Sequence, residues 1–415
     1  MNKIANESAG WKSGTAKSIT FIVTKDCQLA CKYCYLVGKN AKERLPWEVA
    51  KKAIDYILKY ETDFPQESVS WDFIGGEPFL EIDLIDKICD YIKTEMFRLN
   101  HHWFNSFRFN FSTNGINYDS PKVQEFIKKN HQHLSIGITI DGTREKHDLN
   151  RIWKTKDGFS PKPEEEKGSY DDVVRNIPLW LSQFPYSGTK VTISSADIKY
   201  IKDSVLHLYS LGIHEVHINV VFEDVWKEGD DKRFEEQLIQ LADAIIDGEY
   251  YTDYTCSFFS EHLGKPMDKK LQNNNWCGAG RMLAVDAAGN FYPCTRFAQY
   301  SLRDKKAWII GNVNDGIDKN KLRPFLTLDR CTQSNQECID CEVAEGCAWC
   351  QGENYDAAET PTAFQRSTAI CKMHKARVRA NNYYWNKLYR KLEQQGIARE
   401  EAEKHVKKSN YQEPC

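Results

Sequence analysis

Short apolar runs alternate with longer stretches of helical period from about residue 18 to 248, and the remainder of the chain shows neither pattern. Six runs, 18–24, 69–74, 108–112, 134–140, 190–194 and 214–221, have strand length and are rich in β-branched and aromatic residues. Between them Trp47–Lys59, 82–97 and 234–246 carry apolar residues three and four apart, the spacing of a helix that buries one face. Repeated βα units predict parallel pairing with helices on the outside. Six units fall short of the eight of a closed TIM barrel. The expected fold is α/β, a partial (β/α)6 barrel with its site at the C-terminal ends of the strands.

Residues 151–168 break the alternation with a Pro- and charge-rich stretch, which predicts a surface loop near the barrel mouth whose acidic run 164–166 is solvated. After about residue 250 the pattern stops, and ten of the fourteen cysteines fall between Cys256 and Cys415. Few apolar residues separate those cysteines, so metal is expected to hold this part together. Trp385, Leu388 and Leu392 stand at helical spacing in the closing segment, which carries excess Lys and Arg. A helix covering the barrel is expected there, with a docking surface for an acidic peptide as the alternative. The expected division is a short segment 1–17, the barrel 18–250, a cysteine-rich unit 251–375 and a helical extension 376–415.

A net charge of −3, from 56 basic and 59 acidic residues, provides no field that would draw the chain to a nucleic acid or an anionic membrane. No apolar run approaches the roughly 18 residues that span a bilayer, and the first residues lack the apolar core of a signal peptide. The chain is expected in the cytoplasm. In a reducing compartment, fourteen cysteines at short spacings point to metal rather than to disulfides.

Directly after the first strand stands Cys27-Gln-Leu-Ala-Cys31-Lys-Tyr-Cys34. Three thiolates can hold three corners of a [4Fe–4S] cubane and leave one iron open, whereas clusters built for electron transfer have four protein ligands. A structural zinc site with a distant fourth ligand is the competing reading of the spacing. Position favours iron: Gly75-Gly76-Glu77-Pro78 follows at the end of the second strand, and triad and glycine motif together resemble the radical SAM superfamily in order and placement.

That resemblance implies an open iron that chelates S-adenosylmethionine, and a 5′-deoxyadenosyl radical, made by reductive cleavage, that abstracts hydrogen from a substrate. It also implies roles near the methionine and adenine moieties for Tyr33, for Gly75, Gly76 and Glu77, for Ser112 and Asn114 after the third strand, and for Asp141 after the fourth. Arg151, in a His147-Asp148-xx-Arg151 stretch, would bind the methionine carboxylate, for which its forked cation suits it; a surface ion pair is the alternative.

Further along come Cys277, Cys294, then Cys338-xx-Cys341-x5-Cys347-xx-Cys350, and Cys371. This order resembles the SPASM extension, which implies two auxiliary [4Fe–4S] clusters and three in all. One departure is that two residues, not three, separate Cys347 from Cys350. By resemblance Cys338, Cys341, Cys347 and Cys371 hold the outer cluster, and Cys277, Cys294 and Cys350 the inner one. For its fourth ligand Cys331 is the first candidate and Cys256 the next, and an iron left open for a substrate thiolate is the third possibility. A pair of structural zinc sites would suit the same pairs of cysteines. Cys89, inside a predicted helix, and Cys415, near the end, receive no role.

The triad segment 24–39 and the C-terminal order look most like maturases of ribosomal peptides with spaced cysteines, which form thioether crosslinks from sulfur to carbon. The resemblance implies a cysteine-containing precursor peptide as substrate and an external donor such as a flavodoxin or ferredoxin. With 26 residues before Cys27, no separate leader-binding domain is expected. The alternative is an anaerobic sulfatase maturase that oxidises Cys or Ser to formylglycine with an acidic base, for which Asp72, Glu223 and Asp224 lie near strand ends. A non-catalytic iron–sulfur or zinc protein is a remote third.

Overall fold

The computed structural model describes residues 16–39, 41–156, 160–261, 263–268 and 277–407. Six strands follow the expected order: β1 (Lys17–Thr24), β2 (Val69–Gly75), β3 (Phe107–Thr113), β4 (Leu134–Ile138), β5 (Thr189–Ile193) and β6 (Glu215–Val220). β1 to β4 pair in parallel as one sheet and β5 with β6 as another. Between β4 and β5 a buried hydroxyl replaces the ladder, since Thr189 Oγ1 donates to Ile138 O at 2.8 Å and receives the Ile140 N–H at 3.1 Å. That substitution ends β4 two residues before the sequence pattern does.

Period-two alternation decides which face is which. On β2 and β3, buried Val69, Trp71 and Phe73, and Phe107, Phe109 and Phe111, alternate with Ser70 and Asp72, and with Arg108, Asn110 and Ser112. The apolar set lies under helices α1 (Trp47–Lys59), α2 (Ile82–Arg98) and α3 (Pro121–Asn130). The polar set faces the barrel interior. There Asp72 accepts hydrogen bonds from Ser18 Oγ (2.5 Å), Ser70 Oγ (3.1 Å) and Asn110 Nδ2 (2.8 Å). Burial raises the Asp72 carboxyl while these three donors oppose the shift. Such a carboxylate pins three strands together, which answers its candidacy as a base.

The outer layer continues with α4 (Arg144–Asn150), α5 (Ile177–Gln183), α6 (Ile201–Ser210) and α7 (Asp230–Asp247). α7 starts earlier than its apolar period suggests, because Gly229 turns the chain at φ 82° and Asp230 Oδ2 accepts the Lys227 N–H at 2.7 Å.

The boundary expected near residue 250 is not a boundary in the sheets. β7 (Thr255–Cys256) pairs in parallel with β6, and β8 (Leu283–Val285) pairs in parallel with β1 through Ile19, Thr20 and Phe21. β9 (Asn290–Tyr292), β10 (Gly311–Asn312) and β11 (Gly316–Ile317) then extend that sheet antiparallel. The expectation of few apolar residues here is also corrected. Phe297, Trp308, Phe325 on α8 (Lys319–Thr327) and Tyr355 on α9 (Gln351–Ala357) form an aromatic cluster with centroids 4.9–6.3 Å apart. Sequence spacing hid it, because its members are scattered over some sixty residues of loop.

α10 (Cys371–Gln394) covers the barrel by packing on α7, with Leu388 and Leu392 buried. Its cations pair with acids of the α7 region: Lys387 with Asp243 at 2.7 Å, Lys391 with Glu249 at 3.0 Å and Arg379 with Glu235 at 2.5 Å. These three cations face the barrel, while Lys372, Lys375 and Arg390 on the same helix are exposed. Cys89 is buried in α2, and Cys415 lies outside the described residues, as does most of segment 1–17. Among the described residues no helix is long and apolar enough to cross a membrane.

Candidate active site and cysteine sets

The loop after β1 carries Cys27, Cys31 and Cys34 along the C-terminal edge of the sheet, and the end of β2 is pressed against it. Gly76 N–H donates to Thr24 O at 3.0 Å and Glu77 N–H to Asp26 O at 2.8 Å. A Cβ on Gly75 would stand 2.1 Å from Thr24 O, and one on Gly76 2.1 Å from Asp26 O and 2.9 Å from Cys27 Cβ. The glycines therefore serve a close approach of backbone to backbone, where the sequence suggested approach to a ligand. Glu77 is fully engaged within the protein. Oε1 accepts from Thr113 Oγ1 (2.7 Å) and Phe79 N (3.1 Å), and Oε2 from Asn114 N (2.7 Å), so its carboxylate clasps the ends of β2 and β3. Asn114 Nδ2 lies 3.0 Å from Gln28 Oε1 and 3.9 Å from Cys27 Sγ, while Ser112 stands on the exposed inner face of β3.

On its other side the cysteine loop aligns antiparallel with the segment after α4. Ala30 N–H reaches Ile152 O (2.8 Å), Lys32 N–H reaches Asn150 O (2.9 Å) and Lys154 N–H reaches Gln28 O (3.0 Å). Lys154 pairs with Asp26, and Lys32 Nζ lies 2.6 Å from Glu166 Oε2. Glu166, expected to be merely solvated, ties the 151–168 loop to the cysteines. A cavity of about 390 Å³ opens between them, lined by Cys31, Cys34, Lys39, Ile152, Pro161 and Glu166.

Arg151 is buried, which removes the surface ion pair as its explanation. Its Nη1 donates to Tyr33 OH at 2.9 Å, and Tyr33 OH donates to Asp141 Oδ2 at 2.6 Å. Burial works against the Arg151 charge, and Tyr33, Cys31 and Asp141 outweigh it, so its pKa is raised. Tyr33 thus joins two of the residues singled out from sequence through its hydroxyl. Behind Asp141 lies a charged core not legible in the sequence: Lys146, with no exposed surface, places Nζ 2.8 Å from Thr192 O, 3.3 Å from Asp197 Oδ2 and 3.8 Å from Asp141 Oδ2. Asn150 Nδ2 and Ser194 N complete the Asp197 shell at 2.9 and 2.6 Å.

Ten of the described thiols sort into three sets. In the first, burial pushes the Cys27 thiol up to about 12, with the charges of Cys31 and Glu77 adding to it. Burial also raises Cys31, against the pull of Arg151 and Lys39. In the second, Cys277, Cys294 and Cys350 are within charge range of one another, and burial raises Cys294 and Cys350. In the third, Cys338 senses Cys371 and Cys341, and Cys347 senses Cys371 and Cys338. Cys331 lies beside Arg330, which also senses Cys347 of the third set. Cys256 sits on β7 among Tyr209, Tyr384 and Arg377.

Thiols made costly to ionise by burial call for compensating positive charge, and buried cations without acceptors call for an anion. Both are present at the first set. Arg151 Nε and Lys39 Nζ are buried without a hydrogen-bond partner beside these cysteines. The donor set therefore fits an anionic iron–sulfur centre and a carboxylate ligand better than three inert thiols.

Arg296 connects the first and second sets. Its Nη2 lies 2.9 Å from Glu223 Oε1 at the end of β6 and 3.0 Å from Glu353 Oε2 on α9, its side chain bonds Cys350, and its guanidinium covers the Tyr35 ring. Glu223, weighed above as a base, is held in this ion pair; Asp224 is exposed. Only proximity to Cys294 marked Arg296 in the sequence, and nothing there marked Glu353.

A family model described as the Radical SAM superfamily matches residues 21–221. An uncharacterised protein of Methanocaldococcus jannaschii is 27% identical over 312 residues, covering 74% of this chain and 91% of that one. A cysteine-type anaerobic sulfatase-maturating enzyme of Clostridium novyi is 28% identical over 171 residues, 39% of this chain and 40% of its own. Among solved structures, anSMEcpe with bound AdoMet and Cp18Cys peptide superposes with a TM-score of 0.64 at 19% identity, covering 90% of this chain and 99% of that one. Streptococcus suis SuiB bound to its precursor peptide SuiA gives 0.55 at 14% identity, over 85% and 75%. These two likenesses concern the fold. Cysteine triad, glycine clasp and partial barrel occur together within the matched residues, and residues 21–221 form a radical SAM domain.

Proposed function

We propose that this radical SAM enzyme is a peptide maturase that joins the sulfur of a substrate cysteine to a carbon of an acceptor residue in a ribosomally made precursor. Bound S-adenosylmethionine and a [4Fe–4S] cluster supply reductive cleavage of a sulfonium carbon–sulfur bond and a carbon radical that takes hydrogen from the substrate. On this reading Cys27, Cys31 and Cys34 hold that cluster. Arg151 offers its unpartnered Nε edge to the methionine carboxylate, and Tyr33, fixed by Asp141, orients the guanidinium. Gly75, Gly76 and Glu77 keep the ends of β2 and β3 against the cysteine loop, and Asn114 and Ser112 line the same edge. Cys338, Cys341, Cys347 and Cys371 would hold an outer auxiliary cluster, and Cys277, Cys294 and Cys350 an inner one.

The observation that carries the thioether reading is that, among the described residues, the second set brings together three thiols while Cys331 and Cys256 have other neighbours. A three-thiol set leaves a position for a thiolate from the substrate, the group that the reaction must join to carbon. Peptide binding by anSMEcpe and by SuiB, proteins of the same fold, supports a peptide substrate. The likeness to the Clostridium novyi enzyme supports the second reading, oxidation of a protein Cys or Ser to formylglycine. In either case a reduced flavodoxin or ferredoxin would supply the electron.

The test is to incubate the reduced, reconstituted enzyme with S-adenosylmethionine and a cysteine-spaced precursor peptide, and separately with a sulfatase peptide. Loss of two hydrogens per link, with a cysteine no longer alkylated by iodoacetamide, supports the proposal. Formylglycine in the sulfatase peptide beside an unchanged precursor overturns it. Cys31→Ala should abolish 5′-deoxyadenosine formation in both.

A further inference from the structure

Away from the cysteine edge, at the opposite ends of the strands, three ligand-type side chains converge. Glu61 lies in the turn Glu61–Asp63 that follows α1 on the way to β2, and His101 and His102 stand where the chain turns into β3. One donor atom from each lies within 4.8 Å of the other two. His101 Nε2 is 3.9 Å from Glu61 Oε1, and His102 Nδ1 is 3.9 Å from Glu61 Oε2. These separations are too long for hydrogen bonds and somewhat longer than the roughly 3.4 Å between ligands of a tetrahedral zinc with 2.0–2.1 Å bonds.

The rings are set up unequally. His102 Nε2 lies 3.0 Å from Gln66 O, and a carbonyl only accepts, so that nitrogen carries a proton and the ring turns Nδ1 toward Glu61. A backbone carbonyl fixing the far nitrogen of a histidine is the arrangement that surrounds metal-ligating histidines. His101 is the stronger anomaly. Its side chain is 1% exposed, and Nε2, facing Glu61, has no hydrogen-bond partner. Leaving a buried ring nitrogen unmatched is costly. His101 Nδ1 accepts the Trp103 N–H at 3.2 Å. Ligation through Nε2 moves the ring proton to Nδ1 and gives up that bond.

We propose that Glu61, His101 and His102 form a divalent transition-metal site of zinc type, with water in the fourth position, clipping the turn after α1 to the turn before β3. Two imidazoles and one carboxylate select a borderline cation such as Zn2+ over Mg2+ or Ca2+, whose ligands are oxygens. The site would stabilise the end of the barrel remote from the chemistry, and it stands independently of the maturase reading.

The experiment uses the reconstituted enzyme with its iron–sulfur content intact, passed over a chelating resin and titrated with ZnCl2 against a chromophoric competitor. Zinc content after dialysis, iron content and the midpoint of thermal unfolding are measured for the parent and for Glu61→Gln and His102→Ala, which alter exposed side chains. Expected is one zinc equivalent that raises the midpoint in the parent and binds at least about tenfold more weakly in both variants, with iron and S-adenosylmethionine cleavage unchanged. Zinc bound equally by parent and variants, or lost iron matching the zinc gained, would place the metal at the cysteines and overturn the proposal. Absence of binding in the parent overturns it as well.

Discussion

The Arg296 guanidinium lies 4.3 Å from the centre of the Tyr35 ring, and Tyr35 is the residue after Cys34. The same guanidinium meets Glu223 and Glu353 and bonds Cys350, so one side chain spans from the first cysteine set to the second. Removing it leaves two carboxylates facing each other, one of them almost fully buried. Arg296→Ala should therefore destabilise the protein by about 3 kcal/mol, and Arg296→Lys by less. Anaerobic denaturant titration measures this, and, with the second cysteine set holding a cluster as proposed, redox titration of that cluster should show a shifted midpoint in Arg296→Lys. Unchanged stability in Arg296→Ala would argue that the ion pairs are solvated.

Arg151 makes a different prediction because its unpartnered edge faces the site. Arg151→Lys keeps the charge but loses the fork, and S-adenosylmethionine should bind about tenfold or more weakly while the iron content of the enzyme stays constant. Isothermal titration with S-adenosylmethionine on reconstituted protein reads both sides of this statement. Tyr33→Phe, which releases the guanidinium from Asp141, should produce a smaller change in the same direction.

A single methyl group tests the glycine clasp. Gly76→Ala places a Cβ where Asp26 O and Cys27 Cβ already are, and those neighbours are backbone and a loop cysteine rather than the end of a flexible chain. The cysteine loop should be displaced, so that about one cluster's worth of iron is lost while signals from the proposed clusters of the second and third sets persist. Iron and sulfide analysis with electron paramagnetic resonance separates this result from global unfolding.

Two buried histidines set an acid limit. Burial, aided by Arg151, lowers His147 to about 3, and burial lowers His374 to about 4 although its Nε2 lies 2.6 Å from Val343 O. Both folded values lie below the unfolded value near 6.5, so between the two the unfolded chain binds more protons. Their contribution is complete above pH 6.5 and is lost as pH falls toward 4 and 3, at about 1 kcal/mol each by pH 5.5. Chemical denaturation across pH 5 to 7 should show this slope. It should flatten in His374→Gln, which keeps a donor for the carbonyl without titrating.

The short apolar runs and the helix periods gave all six barrel strands nearly to the residue, because the apolar pattern of each strand is local. The triad, the glycine motif and Arg151 were legible for a related reason: strand ends converge in a parallel barrel, so motifs at successive ends share one edge. What escaped was long-range. Lys146 reads as an ordinary surface lysine, and only the fold takes it to Asp197 and Asp141. β8 is three residues in a loop-like stretch whose partner lies more than 250 positions earlier, and the Gly75 and Gly76 contacts depend on which backbone happens to lie opposite. The cysteine sets show the converse, since spacing alone groups Cys350 with its neighbours in sequence, whereas the resemblance to the SPASM extension already placed it with Cys277 and Cys294, within charge range of which the fold brings it.

β1 lies between β2 and β8, flanked on both sides by parallel partners. A polypeptide emerging from the ribosome makes β1 before the other barrel strands, and Leu283 to Val285 arrive only after the barrel strands β1 to β6 have been synthesised. Throughout that interval the strand that leads into the iron-binding loop presents bare amide and carbonyl groups, a template onto which another nascent copy can add. Chains truncated before residue 283 should therefore accumulate as insoluble material even though β1 to β6 are present, and cluster insertion is best timed after the C-terminal region has docked.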